Sequence, residues 1–181
     1  MNKKILWITQ TAVMLALLVA LQALTKPMGQ LVTGSFVNAV LAVTVLFAGL
    51  SSGITVAVIS PVLAYLLGIA PQILTVPAIM IGNTVFVTVL SLLARKDGKQ
   101  PVRKLLAWIS AAVAKFATLY VIVVQVICGL MAESLLASGA LKAPMLKALP
   151  ATFSWPQLFT ALIGSGVALL MVPALRKALR K

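Results

Sequence analysis

Lys115 is the one charged side chain set inside a long apolar run, ten residues beyond Leu105. At 1.5 Å per helical residue it lies about 15 Å deep, near the middle of a ~30 Å hydrocarbon core. From there its stem does not easily snorkel to water. Backbone carbonyls or a water defect can satisfy such a lysine, because insertion scales charge only about 3 kcal/mol for it. The functional alternative is a counter-ion for an anionic group on a small ligand. Helical phase, at about 100° per residue, returns Thr118 and Gln125 to within about 80° of the Lys115 direction and sends Tyr120 to the opposite side. Gln72 and Asn83 fall within about 20° of each other on a neighbouring helix, with Asn83 at a depth similar to Lys115. Amides in hydrocarbon seek partners, so each also has a bland reading as interhelical glue. Asn38 and Trp155, near the ends of two other apolar runs, are placed to close a pocket, although Trp155 equally suits an aromatic belt.

What is missing limits the chemistry as much as what is present. There is no His, a single Cys at Cys128, and only two carboxylates, Asp97 and Glu133. These cannot make a Ser-His-Asp triad, a His or Cys metal site, or a paired-Asp protease. A lone Cys precludes an internal disulfide. No G-x-x-x-x-G-K-[ST] occurs, so any dependence on ATP must come from a partner. The expectation is a protein that is not an enzyme and carries no cofactor.

The elements that position these residues are membrane spans. Of the 181 residues, 62% are hydrophobic and 9% charged, against roughly 45–50% and about 25% in soluble domains. The pattern predicts an all-α integral membrane protein with six transmembrane helices over about 5–24, 37–50, 54–67, 72–93, 105–131 and 156–175, forming one domain across 1–181. Lys3-Lys4 ahead of the run from Ala12 to Leu21 also matches the start of a signal peptide, but Gln22-Ala23 offers no clean cleavage site, so the run reads as the first span. The stretch from Pro27 to Phe36 reads as a polar outer loop, and Ser51-Ser52-Gly53 as the break between the second and third spans. Pro61 and Pro77 suggest kinked helices around a cavity. Glu133 to Pro150 reads as a large outer segment with amphipathic fragments. The halves share no repeat, which argues against an inverted-repeat carrier.

Fifteen Lys and Arg give a formal charge of +13, a balance that in a soluble protein would suggest nucleic acid. Their positions point elsewhere. Lys3, Lys4, the five cations from Arg95 to Lys104, and Arg176, Lys177, Arg180 and Lys181 fall at one set of span ends. Only Lys26, Lys142 and Lys147 fall at the other. The positive-inside rule then places both termini in the cytoplasm, and no nucleic-acid partner is expected. Ala12, Ala16 and Ala20 repeat at four-residue spacing on the first span, a small-residue strip that lets another helix approach. Ala107 and Ala111 repeat the spacing on the fifth, so as a motif it is weak.

The whole pattern resembles the substrate-binding S component of energy-coupling factor transporters. The resemblance rests on Lys3-Lys4 leading into Thr11-Ala12-x-x-x-Ala16, the Ser60-Pro61 to Gly68-Ile-Ala-Pro-Gln72 stretch, Ile81-Gly82-Asn83, the first outer loop and the basic central loop. It implies a prokaryotic plasma-membrane subunit that binds a water-soluble vitamin or related micronutrient near its outer side, capped by the first outer loop. Such a subunit docks through the helix 1 alanines, here Ala12 and Ala16, onto a transmembrane coupling subunit bearing two ATPases. Rotation in the membrane then delivers the ligand inward. With Lys115 in the pocket, a carboxylate or phosphate is favoured over a cation such as thiamine. The competing expectation is a self-sufficient homo-oligomeric channel or structural membrane protein.

Overall fold

The computed structural model describes residues 2–69, 72–94 and 101–179. Arg95, Lys96, Asp97 and Lys99 of the central basic loop, and the last two cations, Arg180 and Lys181, lie outside them.

Among the described residues the architecture is all-helical. Helix α1 spans Lys3–Thr25, α2 Gln30–Phe47, α3 Leu50–Leu66, α4 Val76–Ala94 and α5 Pro101–Leu119. Winding of the π type carries α5 on through Tyr120–Leu130. Two shorter helices follow, α6 over Ala132–Ala137 and α7 over Ala143–Phe153, before α8, Trp155–Leu179. Five of the long helices are long and apolar enough to cross a membrane, whereas α3 has 17 residues, at the lower end of the usual range.

The long helices alternate in direction, and cross-helix hydrogen bonds fix which ends meet. Trp7 Nε1 at the start of α1 donates to Ser51 Oγ at the start of α3, 3.1 Å away. Arg176 near the end of α8 donates to the Leu46 carbonyl near the end of α2 at 2.6 Å. At the opposite end, Lys26 Nζ donates to the Gly68 carbonyl at 2.6 Å. That end also carries α6 and α7.

Two apolar clusters hold the bundle. The larger joins Leu18, Leu41, Val56, Phe86, Leu90 and the fully buried Ala107, Ala111 and Ala112. The smaller packs Leu141, Leu149 and Phe153 of the α6–α7 segment against Ala78, Leu119 and Val123. Hydroxyls inside the apolar helices are satisfied locally: Thr44, Thr84 and Thr118 each donate to the carbonyl four residues earlier, the low-cost way to carry a hydroxyl in hydrocarbon.

Three sequence expectations are corrected. The stretch 27–36 is not a long loop: after a short 3-10 turn over Lys26–Met28, the chain turns at Gly29 and is helical from Gln30. Gln30 and Thr33 line a cavity and the Ser35 hydroxyl bonds the Leu31 carbonyl, so loop-like composition is compatible with helix. Gly29 makes the sharp turn possible at φ 90°, ψ 171°, a conformation essentially reserved for glycine. We expect Gly29→Ala to cost about 1–3 kcal/mol, read as a lower melting temperature in detergent; an unchanged melt would contradict the turn. The break between α2 and α3 lies at Ala48 and Gly49, φ 96° at the glycine, so Ser51-Ser52-Gly53 belongs to the first turn of α3. Pro77 is the second residue of α4, where its missing N–H costs nothing and no kink is required.

Candidate functional site

A cavity of about 330 Å³ opens at the α6–α7 end of the bundle, and Lys115 lies in its wall. The lysine is 3% exposed. Its Nζ donates to Asn38 Oδ1 and to Asn83 Oδ1, both at 2.6 Å, and sits 5.5 Å from the centre of the Phe86 ring. Helices α2, α4 and α5 thus converge on one ammonium. No carboxylate neutralises it among the described residues, whose only acid, Glu133, is exposed on α6.

Hydrogen bonding on the far side of each amide sets its direction. Asn38 Nδ2 donates to the Gly34 carbonyl at 2.9 Å and to Thr160 Oγ1 at 3.3 Å. Both amide hydrogens are engaged, so the carbonyl oxygen must face Lys115. Thr160 in turn donates to the Gln157 carbonyl at 3.2 Å, which ties α8 into the same chain. Asn83 is 1% exposed, yet its Nδ2 has no protein partner among the described residues. No fully enclosed side-chain nitrogen or oxygen there lacks a partner, so this NH2 lies open to the cavity that Asn83 lines. An ammonium has three donors, and two are spent on the asparagines. The third lysine N–H and the Asn83 NH2 are the donors left over at the inner wall, which suits an acceptor-only group such as a carboxylate or phosphate.

Close helix packing makes the convergence possible. A Cβ added at Gly164 on α8 would stand 2.5 Å from the Ser35 carbonyl oxygen and 2.7 Å from Asn38 Cβ. Glycine there lets α8 press onto α2 beside the lysine's partner. Gly164→Val is expected to force the two helices apart, destabilise by about 1–3 kcal/mol and weaken ligand binding; an unchanged melting temperature and affinity would contradict this packing.

The rest of the cavity wall comes from the first turns of α2 and from α7. Gln30, Thr33 and Gly34 contribute where a loop was expected, and Met145, Leu149, Thr152 and Phe153 cover the space from α7. The cap is thus the helical segment between the fifth and sixth long helices, while only Lys26 and Gly29 of the short first turn reach the cavity. Gln22 and Gln157 also line it. Both are amides near the ends of apolar runs, the position that pointed to Asn38, whereas Asn83 stood out by its depth.

The other sequence candidates lie elsewhere. Gln72 precedes a 3-10 turn over Ile73–Thr75, so counting eleven α-helical residues to Asn83 misplaces it, and it is not part of the cavity wall. The Thr118 hydroxyl is spent on the Ala114 carbonyl, 2.8 Å away. Gln125 is exposed and donates to Tyr120 Oη at 3.1 Å. That five-residue pairing follows from the π winding, which brings residue i+5 over residue i and turns Gln125 to the Tyr120 side, away from the phase that α-helical counting gives it. Trp155 is 64% exposed and stacks on Phe116, ring centres 5.6 Å apart, outside the cavity. Ala12, Ala16 and Ala20 are all exposed on α1, whereas Ala107 and Ala111, at the same spacing, are fully buried.

The family model for the ECF transporter substrate-specific component matches residues 9–176. Searches of curated proteins and of solved structures each found no match to the chain. The match takes in α2 to α5 whole, most of α1 and α8, and all three side chains of the lysine–asparagine cluster, and the chain belongs to the family of ECF transporter substrate-specific components.

Proposed function

We propose that this chain captures a small, water-soluble, anionic micronutrient, vitamin-like in size and polarity, in the cavity beside Lys115. The reading rests on one observation above all: an ammonium in the cavity wall is held by two neutral carboxamides, with no carboxylate against it among the described residues. Two amide dipoles orient such a charge without neutralising it. A ligand carboxylate or phosphate completes the set, and a cationic ligand meets a like charge in a low dielectric.

The cavity end faces the outside in this proposal. Lys3, Lys4, Arg103, Lys104, Arg176 and Lys177 cluster at the other end, as expected of a cytoplasmic face, and α3 then serves as a sixth, short span. The chain lacks a nucleotide-binding motif, so delivery is assigned to a transmembrane coupling subunit with two ATPases, with the exposed strip Ala12, Ala16 and Ala20 as the surface that meets it.

Reconstitution into liposomes tests the assignment. Uptake of a radiolabelled ligand, chosen from a panel of anionic vitamins by binding to the purified chain, should require both the coupling module and internal ATP. Anion flux through the chain alone would favour a self-sufficient channel instead.

A further inference from the structure

Gln157 sits at the first turn of α8 and is 6% exposed. Its Nε2 donates to the Thr152 carbonyl at 3.2 Å. A carbonyl can only accept, so the amide orientation is fixed, and Oε1 is left over together with the second Nε2 hydrogen. That oxygen has no protein partner among the described residues, where no fully enclosed side-chain nitrogen or oxygen is unpaired. It therefore lies open to the cavity, of whose wall Gln157 is part. Thr160, three residues along α8, holds Asn38, so Gln157 stands about 5 Å nearer the mouth than the Lys115 cluster.

The hydroxyls around the outer part of the cavity have the same bias. Thr33 donates to the Thr25 carbonyl at 2.7 Å, Thr75 to the Gln72 carbonyl at 2.8 Å and Thr152 to the Ala148 carbonyl at 3.0 Å. Each has spent its single proton on backbone and presents only lone pairs. Gln22 and Gln30, with amides free to serve either way, add no charge. The wall is thus graded, with the spare ammonium and amide donors at the inner end and a fixed acceptor set farther out. No carboxylate lines the outer part among the described residues, and the nearest charge at the rim is Lys26.

We propose that Gln157 is a specificity-determining residue that accepts a hydrogen bond from a neutral hydroxyl or amide N–H of the ligand. The ligand class is then an organic oxyanion carrying an uncharged donor about one helical turn from its anionic group, and not a zwitterion with an ammonium at that place. A ligand lacking the donor leaves Gln157 Oε1 unpaired, and one carrying an ammonium brings a second cation beside Lys26 without a counter-charge. The inference rests on the anion-capture reading above and assigns its second contact point.

The test uses the full chain in detergent, with calorimetric binding to a panel of small water-soluble hydroxy and amide carboxylic acids. Each acid is matched with its methyl ester, with a counterpart lacking the hydroxyl or N–H, and with one carrying an ammonium there. The wild-type chain should bind the best acid about tenfold more tightly than its donor-free counterpart, the worth of one neutral hydrogen bond. Gln157→Leu should erase that difference while still preferring acid to ester, and Gln157→Glu should shift preference toward the ammonium counterpart. A donor preference that survives Gln157→Leu, or a wild-type preference for the ammonium compound, overturns the role of Gln157 and leaves anion capture standing. Loss of the acid-over-ester preference in the wild type, or no binding by any acid, overturns anion capture itself.

Discussion

Replacing Lys115 by methionine should weaken binding of the anionic ligand by roughly a hundredfold, about 3 kcal/mol, the scale on which truncating one member of a buried charge-assisted pair is felt. Methionine keeps most of the stem's volume and its packing over Phe86, so the folded chain should persist. The two asparagines released, Asn38 and Asn83, line the cavity, where water can take the place of the ammonium. Lys115→Arg should not restore the wild-type affinity, because a planar, forked guanidinium does not reproduce a point charge seated between two carbonyls 2.6 Å away. Calorimetry with wild type and both variants measures this. Affinity unchanged in Lys115→Met would remove the lysine from the binding site.

Ala16→Trp, and likewise Ala12→Trp, should reduce ATP-driven uptake at least about tenfold while leaving ligand affinity within twofold of wild type. Both alanines are exposed on α1 and neither lines the cavity. Most of the apolar surface of α1 is uncovered by the rest of the chain. Facing lipid alone, a tryptophan there costs little; facing a closely packed partner helix, it holds the two backbones apart. Buried alanines make the control. Ala111→Trp, at a fully enclosed position, should destabilise the bundle and lower binding and uptake together. Uptake and binding assays on the same reconstituted samples separate these outcomes, and normal uptake by Ala16→Trp would assign the strip to lipid.

Depth along an apolar run carried real information about the cavity. Residue counts alone set Lys115 and Asn83 at similar levels, and the fold brings them together with Asn38; Asn38 comes from the middle of α2 rather than its end, because the helix starts at Gln30. Counting failed where the backbone left α-helical geometry. The π winding after Tyr120 defeated the phase of Gln125, and the 3-10 turn at Ile73–Thr75 defeated that of Gln72. Composition failed for a different reason. Gln30, Thr33 and Ser35 look like loop residues, but Gln30 and Thr33 border the cavity and Ser35 bonds its own helix backbone, so hydropathy alone sets the start of α2 seven residues late. The covering role of α7 was not visible either. Its Leu149 and Phe153 are buried through contacts with Leu119 and Val123, a tertiary pairing that the amphipathic pattern of the segment does not specify.

The most direct measurement is the identity of the small molecule that the chain retains when purified gently from a membrane whose cell has been fed a micronutrient mixture, read by mass spectrometry. Capture at an unneutralised ammonium predicts a carboxylate or phosphate compound that is released by Lys115→Met. A retained cation or uncharged compound, bound equally well by that variant, would contradict it.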